Sequence, residues 1–159
     1  MFFNIKNSAV IIISVGFFLL DRFLKQLALK GVFLELIPGW LAFNLSFNSG
    51  IAFSWPAPRL LVIFLSICAL IFLSFEAWKN RADSIFFIGL NLIIWGAFSN
   101  LLDRLAILSV IDYFDVAFFS IFNLADIMIV VGCLIILGLK VSSRLWYNKK
   151  NEYKKDEID

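Results

Sequence analysis

Read for polarity alone, the chain is four long apolar runs set between short polar stretches, at approximately Ser8 to Leu29, Leu60 to Trp78, Ser84 to Leu102 and Leu124 to Leu139. A helix needs about 20 mostly apolar residues to cross a hydrocarbon core, so these runs predict four membrane-crossing helices. The first run follows Lys6 as a secretory signal would, but no small-x-small cleavage site follows and the run continues into "DRFLK". A retained helix is predicted. Between the first two runs, Gly31 to Trp55 contains "VFLELIPGWLAFNLSF", short alternating pieces broken by Pro and Gly. This pattern predicts a small β-element with a segment lying on the membrane surface, not a fifth span. The fold class is therefore an all-α membrane protein of four transmembrane helices with a small extracytoplasmic β-element.

Composition agrees with the pattern. Of 159 residues, 62% are hydrophobic and 16% charged, against about half and a quarter in soluble domains. Mean hydropathy is +0.92. A net charge of +2 gives no footing for nucleic acid. The chain has no histidine, which removes His-based triads and the His-Glu-x-x-His zinc motif. Cys68 and Cys133 sit inside apolar runs without CxxC spacing and read as small packing residues.

Orientation follows from the basic residues. Lys6, Lys79, Arg81, Lys140 and the C-terminal cluster from Arg144 to Lys155 fall on one side, with Arg22, Lys25, Lys30, Arg59 and Arg104 on the other. The positive-inside bias then places both termini and the "KNRADS" turn in the cytoplasm, with Gly31 to Arg59 and Leu105 to Asn123 outside. Trp40 and Trp55 fall near the outer boundary, Trp78 and Trp146 near the inner one, and Trp95 mid-helix as packing. The chain divides into one four-helix unit, 1–147, and a charged tail, 148–159, expected to be solvated and poorly ordered.

This topology gathers the acidic residues at one membrane face. Asp21 ends the first helix there, Asp103 and Arg104 end the third, Asp112 and Asp115 lie in the outer loop, and Asp126 opens the fourth helix. A charge at the centre of a spanning helix costs roughly 2.5–3.5 kcal/mol, so Asp126 calls for compensation or use. Two carboxylates sharing a proton do aspartic-protease chemistry; titrating separately, they serve a proton- or cation-coupled transporter. Capping and ion pairing alone would account for them in a non-catalytic scaffold. Residue chemistry leaves these readings open.

Four motifs in order separate them: "DRFLK", "NSGIAFS", "NLLDR", and "VIDYF" ahead of "FNLAD". Around four spans, this set resembles lipoprotein signal peptidase, the signal peptidase II family, over nearly the whole chain except the tails. The resemblance implies a bacterial inner-membrane aspartic endopeptidase, working near the extracytoplasmic face without metal or cofactor. It implies diacylglyceryl-modified prolipoproteins as substrates, cut just before the lipid-bearing cysteine, with membrane lipids as the other partners and a monomer as the working form. The Asp of "VID", Asp112, and the Asp of "FNLAD", Asp126, would be the catalytic dyad. Asn48, Asn100, Asp103, Arg104 and Asn123 would bind substrate or support the dyad. Asn123 reads equally as a cap of the fourth helix and as a group orienting Asp126.

Asp21 and Lys25, four apart on one helical face, read as a structural ion pair worth a few tenths of a kcal/mol if exposed. Asp115 reads as loop surface. Ser49, Ser54 and Ser99 have no histidine base, so a serine nucleophile is disfavoured. The chain departs from the family in "WGAFSN", where Trp95 and Ser99 replace glycines, and in a shorter segment between Asp112 and Asp126.

Overall fold

The computed structural model describes residues 5–50 and 58–156, the stretch 142–156 by its backbone alone. Its elements are α1 (Ile5–Leu29), β1 (Leu34–Ile37), β2 (Leu41–Asn48), α2 (Arg59–Lys79), α3 (Ser84–Ile107), β3 (Val110–Val116), β4 (Ser120–Phe122) and α4 (Leu124–Asp156). All four helices are long and apolar enough to cross a membrane. Trp55 and most of "NSGIAFS" lie outside the described residues.

The helices are not equivalent. In the apolar window of α3, 44% of residues are buried, against 6% in α2, so α3 is the centre of the bundle and α2 a lipid-facing flank. Glycine sets how closely α3 meets α4. A Cβ on Gly132 would lie 2.5 Å from the Gly89 carbonyl oxygen, and one on Gly96 would lie 2.5 Å from that of Ala125. Where lipid removes the hydrophobic drive between helices, such backbone approach is what holds a pair together. Gly96 therefore fixes the depth at which α4 begins. At the opposite end, Asp83 caps α3 by accepting from Phe86 N–H, and the buried amide of Asn7 donates to the Arg81 carbonyl, tying the start of α1 to the α2–α3 turn.

A four-stranded antiparallel sheet in the order β1-β2-β3-β4 covers the other end. Its underside packs Phe43 and Tyr113 on Ala28 of α1, with Leu24 and Leu27 alongside. The predicted β-element accounts for β1 and β2; the outer loop read as irregular supplies the other half of the sheet. β3 pairs with β2 through Ser46 opposite Asp112 and Asn48 opposite Val110. The left-handed Leu108, φ 57°, closes α3 by donating its N–H to the Arg104 carbonyl, and the strand begins two residues later. That abrupt turn sets β3 against the end of the helix it has just left.

Two boundaries differ from those read in the sequence. α3 continues past Leu102 to Ile107, which puts Asp103 and Arg104 inside a helix. α4 runs without a break to Asp156 through the charged stretch expected to be poorly ordered. Lys, Glu and Asn with no Gly or Pro let the helix propagate there, charge notwithstanding. Trp95 packs on Phe18 and Phe98, with ring centroids 5.4 Å and 6.0 Å away. At the far end of α2, Trp78 lies under the Arg81 guanidinium, 4.4 Å from its centroid.

Candidate active site

The first turn of α4 leaves N–H groups with no partner in their own helix, and each finds one. Asn123 caps the helix, its Oδ1 accepting from Asp126 N–H at 2.9 Å. Asp126 returns the bond, its Oδ2 accepting from Asn123 N–H at 3.2 Å, which is a reciprocal capping box. The Tyr113 hydroxyl accepts from Leu124 N–H at 3.0 Å, and Asp21 from α1 accepts from Ala125 N–H at 3.2 Å. Asp126 is thus placed by the geometry of a helix start.

Asn123 does more than cap. Its Nδ2 donates to Asp112 Oδ1 at 2.6 Å, and lies 3.2 Å from Asn100 Oδ1 and 3.3 Å from the Ile111 carbonyl. The cap and the contact with Asp126 are one capping box, made by the backbone N–H and Oδ1 of Asn123, while its amide nitrogen turns to Asp112. Asn100, on α3, donates its Nδ2 to Asp126 Oδ1 at 2.8 Å. Asn48, at the end of β2, also hydrogen-bonds Asp112, and its Oδ1 accepts from Gly50 N–H at 3.0 Å. Two carboxylates from β3 and α4 therefore converge on one set of amides.

Burial and the charge of Asp126 push the Asp112 carboxyl up to about 7, and the hydrogen bonds from Asn123 and Asn48 and the Lys25 charge only partly offset this. A carboxyl so placed holds its proton near neutrality. Arg104 is within electrostatic reach of Asp126, Asp112 and Asp103, and its guanidinium donates to the Gly50 carbonyl at 3.4 Å. Among the described residues, no group of three or more His, Cys, Asp or Glu side chains is arranged to hold a metal ion.

Behind the two carboxylates lies a second, fully charged cluster. Lys25 Nζ sits 3.0 Å from Asp21 and 2.7 Å from Asp103, with all three side chains at 0% exposure. Arg22 also pairs with Asp103, and Asp103 accepts from Ile111 N–H at 3.3 Å. Asp21 and Lys25 form the ion pair that helix spacing predicts, and because the sheet and α3 bury it, the small worth of an exposed pair does not apply. Ser99 donates to Asp21 at 2.6 Å, so its hydroxyl joins α1 to α3. Tyr113 also donates to Asp21, at 2.8 Å, and burial beside that carboxylate raises the phenol so that it stays a donor.

Asp103 is accordingly held by cations and takes no place beside Asp112. Asp115 also stands apart: it lies on β3, not in a loop, and is half-buried, accepting from Asn44 at 3.3 Å. Three residues along a strand reverse the side-chain face, so Asp112 and Asp115 cannot look the same way. Ser99 and Tyr113 were missed as contributors, since neither stands out until α1 is brought against α3 and the sheet.

Residues 3–141 match the family described as Signal peptidase (SPase) II. The chain is 38% identical over 131 residues to the lipoprotein signal peptidase of Bartonella tribocorum, covering 77% of this chain and 76% of that protein. It is 33% identical to that of Halothermothrix orenii, covering 80% and 92%. In three dimensions it superposes on a solved bacterial membrane enzyme with TM-score 0.80 at 24% identity, over 86% of this chain and 90% of that one. A second bacterial membrane enzyme gives TM-score 0.73 at 26% identity, over 82% and 90%.

Proposed function

This chain belongs to the signal peptidase II family, and on that premise we propose that it is an aspartic endopeptidase in which Asp112 and Asp126 are the catalytic dyad. It removes the signal peptide from prolipoproteins. The form it cuts carries diacylglyceryl on the cysteine that follows the scissile bond. The observation that carries the reading is Asn123, which bonds the side chains of both carboxylates while the Asp112 carboxyl is held near 7.

One proton is retained by the pair, and its titration belongs to the pair and not to either residue. The ionised member takes a proton from water as it attacks the scissile carbonyl. The protonated member then gives its proton to the leaving amine. No covalent acyl-enzyme forms. Arg104 cannot act as the acid, so its part is to orient a carboxylate or a substrate carbonyl. Both termini lie in the cytoplasm, which sets the dyad near the extracytoplasmic face, where the acyl chains stay in lipid while the peptide meets water. The peptidase unit is 1–147, it works as a monomer, and the charged segment 148–159 takes no part in the chemistry.

Asp112→Asn and Asp126→Asn, each made alone, test the assignment in membranes supplied with a diacylglyceryl-modified prolipoprotein. Each substitution is expected to lower cleavage by roughly 10²–10⁴-fold with normal membrane insertion. Full activity in either variant removes that residue from the dyad. A proton-coupled solute flux that depends on Asp126 would replace the peptidase reading with a transporter.

A further inference from the structure

We propose that Lys25 is a positioning residue for the dyad, acting through Asn100 as well as holding helices together. The inference rests on the dyad assignment above. Lys25 Nζ donates to Asn100 Oδ1 at 2.9 Å, and the Nδ2 of the same amide donates to Asp126 Oδ1 at 2.8 Å. An amide can turn either end toward Asp126, and only its nitrogen can donate there. With a buried ammonium against one end, the carbonyl oxygen is held inward and the donor outward. The Asn123 amide, which also points at Asn100 Oδ1, is aligned by the same oxygen and carries the order on to Asp112.

The partners of Lys25 fix its ammonium in the place this role needs. Asp21 and Asp103 grip it from α1 and α3, the Ser99 hydroxyl lies 3.4 Å from its nitrogen, and nothing of it reaches solvent. Arg22 brings the cluster to two cations and two anions. Lys25 is the cation of that set that touches an amide of the dyad. The charged groups acting on Asp112 are Asp126 from α4 and Lys25 from α1, with Arg104 of α3 in electrostatic reach, while β2 contributes the neutral Asn48. Of these, Lys25 favours the anionic form of Asp112 and Asp126 opposes it.

The test is the double variant Lys25→Met/Asp103→Asn, which removes one cation and one anion and leaves the cluster balanced. Folded enzyme is isolated in detergent by gel filtration, and cleavage of a diacylglyceryl-modified prolipoprotein is followed from pH 5 to 9. The expected result is a fall in kcat of about a hundredfold, with KM within about threefold, because a misaligned donor acts on the reacting groups and not on substrate binding. The alkaline limb of the pH profile moves to higher pH, since the charge that favoured ionised Asp112 is gone. A purely structural lysine would change the yield of folded enzyme and leave that limb where it was. Wild-type kcat with an unmoved limb overturns the proposal. If the double variant does not fold, Asn100→Leu decides, because it keeps every charge of the cluster: an unchanged kcat overturns the proposal, and a hundredfold loss at unchanged KM supports it. Full activity in Asp112→Asn or Asp126→Asn would instead mark failure of the dyad assignment itself.

Discussion

Two pairs of carboxylates lie side by side at one end of this bundle and are held in opposite ways. Asp21 and Asp103 face cations, Lys25 between them and Arg22 beyond, with the Ser99 and Tyr113 hydroxyls donating to Asp21 and the Ile111 N–H to Asp103. Asp112 and Asp126 are bonded by the amides of Asn48, Asn100 and Asn123. Opposite charge compensates a buried carboxylate and makes it a structural part. An amide satisfies the lone pair without neutralising it, so two such anions close together retain a proton. On the proposed assignment, what separates structure from chemistry is the kind of partner, since all four acids are buried or nearly so.

The largest effect should come from removing the proton site. Asp112→Asn is expected to lower cleavage by roughly 10²–10⁴-fold while changing how stability depends on pH. In the folded protein the carboxyl holds its proton up to about 7, against 3.8 for the free group. The folded state therefore binds more protons between these values, and this contribution to stability is full at low pH and is lost as pH rises through about 7. Thermal unfolding in detergent at pH 5 and pH 8 should show a smaller difference for Asp112→Asn than for the parent. An equal difference would mean that Asp112 titrates as an ordinary exposed acid. The same titration gives cleavage an alkaline limb near neutrality in the parent enzyme.

The paired acids should respond differently. Lys25→Met alone leaves Asp21 and Asp103 buried with one cation fewer, and breaking a buried pair this way costs about 3–5 kcal/mol. Unfolding temperature and yield of folded protein should both fall, and Asp103→Asn added to it should restore part of each. No restoration would mean that Lys25 contributes by packing and not by charge.

Depth of α4 is the next effect in size. Gly96→Ala places a methyl group against the Ala125 carbonyl, one residue before Asp126, where backbone must yield. Overpacking of this kind costs about 1–3 kcal/mol. Because the helix that moves carries half of the dyad, cleavage should fall by more than stability alone explains. Gly138→Ala, with no atom within 4 Å of the added methyl, is the matched control.

How much of this could be read in the sequence depends on how local the cause is. Four helices were legible because each apolar run is continuous, and the first two strands because Pro38 and Gly39 mark the turn between them. β3 and β4 were not, though "VIDYFDV" is rich in β-branched and aromatic residues. Their hairpin turns through Phe118 at φ 62°, where glycine or asparagine would have given the usual signal. Asp112 and Asp126 stood out through their motifs, and the Asp21 and Lys25 contact through helical spacing. Their burial was not, because the groups that cover and neutralise them come from α3 and the sheet. Asn123 shows the same limit at one residue: its cap is local, and its bond to Asp112 exists only once β3 has folded back.

The smallest effect belongs to the acid nearest Asp112 in the chain, and it is the sharpest check on the comparison. Asp115 accepts one bond from Asn44 on the neighbouring strand and faces away from the converging amides. Asp115→Asn keeps the shape and an acceptor, so stability should change by no more than about 1 kcal/mol. Prolipoprotein cleavage should stay within about twofold, since no group in contact with Asp112 or Asp126 is altered. A hundredfold loss would place Asp115 among the reacting groups. The strand would then have to present its opposite face to the substrate, and the division between acids held by cations and acids held by amides would no longer mark where the chemistry lies.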